Sequence, residues 1–261
     1  MTLLRESFAA VNARFHLVGF YTLSWLLLIL VADLSGRQPP DDSASDLAVV
    51  LVLVLFCLTY CGLHGLVYHA AAGRPPGPVF LRYAAALPLP FFWVLFKVFA
   101  LVGLPASAAL AAYMQLAAPG TPPDRQLIGF VFWTAPVFGL AAEILTLYAL
   151  PLAIVWRERG APRTQIREGL RLWRERAGDS LRLTVLLVLW VAMEGALHYA
   201  RGLEVKAIAP DAPEALVLFA TCYLKLVAFY GASRVVLARF DPETRRDLLE
   251  DGVPNTPGPP A

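Results

Sequence analysis

Apolar residues gather into six stretches, at roughly 15–33, 47–70, 89–117, 127–156, 181–200 and 214–238, with short polar segments between them. The hydrocarbon core of a bilayer is about 30 Å thick and asks for about 20 apolar residues per helical pass. Each stretch meets that length, so the pattern predicts an all-α integral membrane protein with six transmembrane helices. The third stretch needs an adjustment. As one helix, residues 79–117 would run about 60 Å, twice a bilayer, but Pro88 and Pro90 interrupt them. A proline inside a helix removes a hydrogen bond and clashes with the preceding turn. The reading is therefore a short helix over 78–87 at the cytoplasmic surface, followed by one span. Two spans would need a hairpin near Gly103 and Pro105, and every later loop would change sides.

The segments before the first, third and fifth stretches resemble one another: LRESFAAVNARF, LRYAAALPLP and IREGLRLWRERAGDS. Each opens on an aliphatic residue and an arginine, Leu4 with Arg5, Leu81 with Arg82 and Ile166 with Arg167, at separations of 77 and 85 residues. This suggests three copies of one unit, an interfacial helix followed by a two-span hairpin. In the third copy, Ile166, Leu170, Trp173 and Ala177 recur at helical spacing. Arg163, Arg167, Arg171 and Arg174 form the neighbouring stripe. A cationic amphipathic helix with a Trp is expected in the headgroup layer, apolar face toward the acyl chains. Each basic residue near an anionic leaflet contributes about 1 kcal/mol.

Composition agrees: the chain is 58% hydrophobic with a mean hydropathy of +0.59, more than a soluble globule of this size has interior to hide. The net charge of +2 says little, but its distribution sets orientation. Sixteen of the 22 basic residues fall on the N-terminal tail, the second and fourth connections and the C-terminal end, and eight of them lie between Arg157 and Arg182. The other three connections hold four, amid Asp and Glu. Both termini are therefore expected in the cytoplasm. Residues 1–240 read as a single six-span membrane domain and 241–261, ending in GVPNTPGPPA, as a partly disordered cytoplasmic tail. The first stretch lacks a convincing cleavage site and is expected to remain in the protein.

Ionisable groups inside a span cost about 2.5–3.5 kcal/mol each at the helix centre. Lys97, Glu143, Glu194 and Lys225 are the four concerned. Glu143, Glu194 and Lys225 each lie thirteen residues from a cytoplasmic end, about 20 Å up at 1.5 Å per residue, with Lys97 shallower. At one depth on spans four to six they could meet, either as a polar clasp that fixes packing or as a proton or substrate path. Glu194, His198 and Arg201 are spaced by four and three, making a polar stripe toward the external surface. It reads as a water-filled lining, or as a snorkelling arginine above a satisfied histidine.

No cofactor is implied. His64 and His69 are five apart and turned from each other, and only His16 with His69 could form a facing pair. Cys57, Cys61 and Cys222 fall within spans and read as small apolar side chains. There is no G-x-S-x-G elbow, H-E-x-x-H or phosphate loop, so no enzyme is indicated. Gly103, Ser107 and Ala111 step by four and form a smooth face for close helix approach, within the monomer or in a homo-oligomer. The stretch 148–189, with Leu150, Pro151, Leu152, Gly160, Arg167, Leu170 and Trp173, resembles the bacterial membrane domain associated with glycerophosphoryl diester phosphodiesterases and its stand-alone relatives. The resemblance implies a six-span helical module of the bacterial inner membrane that places lipid or a protein partner. Without the soluble catalytic domain it implies no phosphodiesterase activity.

The expectation is thus a non-enzymatic multi-pass protein that grips anionic phospholipids through basic in-plane helices. A small proton-coupled transporter using the Glu/Lys cluster is the first alternative, and a membrane subunit of a larger complex the second. Nucleic acid is discounted, because the basic helix has a continuous apolar stripe.

Overall fold

A computed structural model describes residues 2–36, 43–75, 77–116, 123–159, 164–201 and 212–240, and no strand occurs among them. The helices are α1 (Thr2–Asn12), α2 (Phe15–Gly36), α3 (Ser43–Ala71), α4 (Phe80–Ala86), α5 (Pro88–Val98), α6 (Leu104–Leu116), α7 (Pro123–Arg159), α8 (Gln165–Glu175), α9 (Ala177–Arg201) and α10 (Ala212–Phe240). The C-terminal tail lies outside the described residues. Pro88 sits at the first position of α5, where its missing N–H is no loss. The short helix expected before it is α4. No hairpin forms near Gly103. Instead a π-helical turn, Phe99–Gly103, carries α5 into α6. Gly103 lets the turn close, because a Cβ there would stand 2.7 Å from the Phe99 ring.

Four helical segments are long and apolar enough to cross a membrane: Leu47–Ala71, Pro88–Leu116, Pro136–Glu158 and Ala212–Phe240. A fifth would be the pair Thr2–Asn12 and Phe15–Val31, bent by 74°. Six spans were expected, and four or five are found among the described residues. The expected stretch 181–200 lies in α9, which opens with Asp179 and Arg182, and its side chains from 197 onward lie outside the described residues. Many large apolar side chains on the spans face outward, Val50, Leu51 and Val54 of α3 and Phe92, Phe96 and Phe99 among them, each about half exposed. That distribution suits hydrocarbon surroundings.

The packing repeats three times. α4 lies on α3, α8 on α7 and α1 on α10. Of the helices that follow, α5 touches α7 and α3, α9 touches α10 and α7, and α2 touches α3 and α10. Each short helix thus rests on the second long helix of the preceding unit, in cyclic order. Ser7, Ala84 and Gly169 occupy matching positions at the separations seen in sequence, and all three are buried. Small residues suit a close approach of the short helix to its neighbour. Ser7 Oγ would stand 3.0 Å from a Cβ on Gly231 of α10, and a Cβ on Gly169 would make an ordinary contact with the Ala149 backbone at 3.4 Å. On α3, Gly62 and Gly65 leave the room that the Phe80 ring and Tyr83 occupy.

This docking corrects the sequence reading of α8. The face expected to meet acyl chains was Ile166, Leu170, Trp173 and Ala177. The buried face is Gln165, Gly169 and Leu172, turned onto α7, while Ile166 and Trp173 pack only partly on the core. Leu170 is 39% exposed, and Ala177 is exposed at the start of α9. The Trp173 indole points inward, donating to Thr184 Oγ1 at 3.4 Å.

Candidate functional site

Lys225 of α10 and Glu143 of α7 form an ion pair, Nζ to Oε1 2.7 Å, with 19% and 26% of their side-chain surface open. Lys225 Nζ also lies 4.0 Å from the ring centre of Trp190 on α9, a cation–π contact. Three helices therefore converge on one ammonium. The proposed meeting of Glu143 and Lys225 is present. Lys97 instead donates to Gln165 Oε1 of α8 at 3.3 Å. Tyr148 of α7 bonds Ser180 of α9 at 2.8 Å. Trp190, one turn before Glu194 in α9, lies beside Lys225. The side chains of Glu194, His198 and Arg201, and all of Arg163, lie outside the described residues.

A second group of polar contacts ties the end of the bundle where most arginines lie. Arg74 forms a two-pronged contact with Glu158, Nη1 to Oε1 2.8 Å and Nη2 to Oε2 2.9 Å, and the Tyr83 hydroxyl donates to the same carboxylate at 3.1 Å. Glu158 holds the Arg74 guanidinium above its ordinary pKa through that bond. Burial, and then the Glu158 carboxylate, push the Tyr83 hydroxyl up to about 12. Arg234 of α10 places Nε 2.9 Å from Glu6 of α1 and donates to the Ala71 carbonyl of α3 at 3.3 Å. Tyr230 donates to Glu6 at 3.2 Å. Arg239 reaches Glu175 at 3.3 Å and Glu168 at 3.6 Å. Each docked helix thus has a clasp holding it to its neighbours. Counting arginines for orientation missed these pairs, and the signal available was the acids among them: Glu6, Glu158, Glu168 and Glu175.

On α8, Arg171 contacts Glu175 at 2.8 Å, which Arg239 shares. Arg167 and Arg174 are exposed and have no partner among the described residues. With both glutamates of the helix engaged by Arg239, the surplus positive charge sits on these two.

His64 and His69 are structural in their contacts. His64, 3% exposed, donates through Nδ1 to the Tyr60 carbonyl at 2.8 Å and sits among the rings of Tyr21, Tyr60, Phe91 and Phe229. His69 donates through Nε2 to the Pro75 carbonyl at 2.9 Å, so this nitrogen is engaged. No cluster of three or more metal-ligating side chains occurs among the described residues. Cys57 is exposed, while Cys61 and Cys222 are buried. Ser107 and Ala111 face outward, and Ser107 returns its hydroxyl to the Gly103 carbonyl at 2.9 Å, so that small face is open rather than interior.

Length and apolarity of its helices mark the chain as an α-helical, multi-pass membrane protein. It matches no protein-family model, no curated protein and no solved structure.

Proposed function

We propose that the protein is a non-enzymatic module of a bacterial inner membrane, threaded six times with both termini in the cytoplasm, that engages anionic phospholipid headgroups through α8. The observation that carries this reading is the pair of exposed arginines, Arg167 and Arg174, left without partners while Arg239 occupies Glu168 and Glu175. They lie seven residues apart on one face, two turns or about 10 Å, and a phosphate suits the planar fork of each guanidinium. The resemblance of residues 148–189 to the phosphodiesterase-associated membrane domain points the same way. In this reading the Lys225–Glu143 contact is a packing clasp, since each charge already has its counter-ion at 2.7 Å. The transporter alternative draws its support from the open fraction of the same two side chains.

The test compares thermal unfolding of the detergent-solubilised protein with added phosphatidylglycerol or phosphatidylcholine. Phosphatidylglycerol should raise the midpoint of the wild type, and the double variant Arg167→Gln, Arg174→Gln should lose most of that increment. Two guanidinium contacts at about 1 kcal/mol each set the scale. Equal increments in wild type and variant would refute the reading.

A further inference from the structure

Beside the Lys225–Glu143 pair, two buried hydrogen-bonding groups have no partner among the described residues. Trp190 is 9% exposed and its Nε1–H meets no acceptor. Thr221 is 4% exposed, and its hydroxyl is likewise unbonded. Thr221 stands one turn from Lys225 on the same side of α10. A helical threonine ordinarily returns its hydroxyl to a carbonyl three or four residues back. Thr22, Thr134 and Thr146 do so here, but Thr221 does not. Unmet donors are costly in a protein interior, and hydrocarbon offers them no relief.

The ion pair itself is not sealed, with 19% of the Lys225 and 26% of the Glu143 side-chain surface open. Of the three N–H groups of Lys225, the Glu143 contact at 2.7 Å uses one, and the indole face 4.0 Å away is no oxygen acceptor. Among the described residues the locality therefore has spare donors but balanced charge. An added anion would leave a net charge in a low-dielectric surrounding, a costly arrangement. A neutral oxygen would not.

We propose that this is a hydrated pocket, in which water seated over the Lys225–Glu143 pair accepts from Trp190 Nε1 and bonds the Thr221 hydroxyl. A buried water wants two to four polar partners, and Trp190, Thr221, Lys225 and Glu143 supply four. The same seat would accept the hydroxyl or carbonyl oxygen of a small neutral solute. The pocket is independent of the headgroup reading of α8, which uses other residues on another helix.

Water access is tested by cysteine labelling. In a background of Cys57→Ala, Cys61→Ala and Cys222→Ala, Thr221→Cys in liposomes is exposed to a charged methanethiosulfonate, which reacts with thiolates and hence in water. Val188→Cys, on the outward face of α9, is the lipid-facing control. The pocket predicts labelling at least tenfold faster at 221 than at 188, and equal or slower labelling overturns it. Should the cysteine background fail to fold, the thermal midpoints of Thr221→Val and Trp190→Phe decide. If the groups are dry, the apolar replacements remove unmet donors and the midpoints hold or rise, which overturns the proposal. If water is bound, both midpoints fall, by about 2 °C or more.

Discussion

Replacing Glu143 with Gln, with Lys225 left in place, strands an ammonium between three helices. Losing one partner of a buried ion pair costs about 3–5 kcal/mol, because the survivor keeps its desolvation penalty without its counter-charge. Two features of this site pull the figure toward the lower bound. A fifth to a quarter of each side chain remains open, and Trp190 still offers its ring face at 4.0 Å, worth up to about 2 kcal/mol to a desolvated cation. Glu143→Gln is therefore expected to cost about 3 kcal/mol. Lys225→Met should cost as much or more, since it removes the cation–π contact together with the ion pair. The double variant places two uncharged groups of similar volume in the same space and should lose about 1 kcal/mol or less beyond the cation–π contact. The singles then overshoot the double, giving a coupling of about 2–4 kcal/mol. Denaturant unfolding in mixed micelles, followed by tryptophan fluorescence, supplies the four free energies of the cycle. A coupling below about 0.5 kcal/mol, with singles that simply add, would refute the clasp.

Two further outcomes follow from the clasped end of the bundle. Gly65→Ala sets a methyl group onto Tyr83 and should lower stability by about 1–3 kcal/mol through overpacking, whereas Gly139→Ala, with nothing within 4 Å, should be neutral or slightly stabilising by helix propensity; unfolding midpoints of both variants check this. The Tyr83 hydroxyl is raised from 10 to about 12, so its neutral, donating form contributes stability that is complete below pH 10 and lost as the pH climbs through about 12. Tyr83→Phe should lower the midpoint below pH 10 and flatten its decline between pH 10 and 12, and an unchanged decline would sever the link to this hydroxyl.

The bilayer-scale features were legible because they depend on local composition. Stretches such as 47–70 and 214–238 reappear as Leu47–Ala71 and Ala212–Phe240. Pro88 and Pro90 marked the break between α4 and α5 because proline acts on its own turn. The threefold repeat was faintly visible in Leu4, Leu81 and Ile166, and became plain only through Ser7, Ala84 and Gly169. Their shared smallness is a packing requirement that no single segment advertises. Glu143 with Lys225 was anticipated from the cost of burying charge. Lys97, expected to be shallower, reaches Gln165 of α8 at 3.3 Å, a contact that its place in the apolar stretch did not indicate. α8 packs on α7, and the Tyr148–Ser180 bond at 2.8 Å ties α9 to α7.

By itself, then, the order of residues determined the solvent, the helical class, the punctuation by proline and the presence of intramembrane charges that demand partners. Each follows from the free energy of a residue in its own turn or its own slab of lipid. Only the tertiary structure decided which acid meets Lys225, which face of α8 is buried and which arginines stay uncommitted. Those choices depend on how far helices slide past one another, and that sliding is set by a few small residues and carboxylates distant in the chain, whose contacts no local pattern encodes.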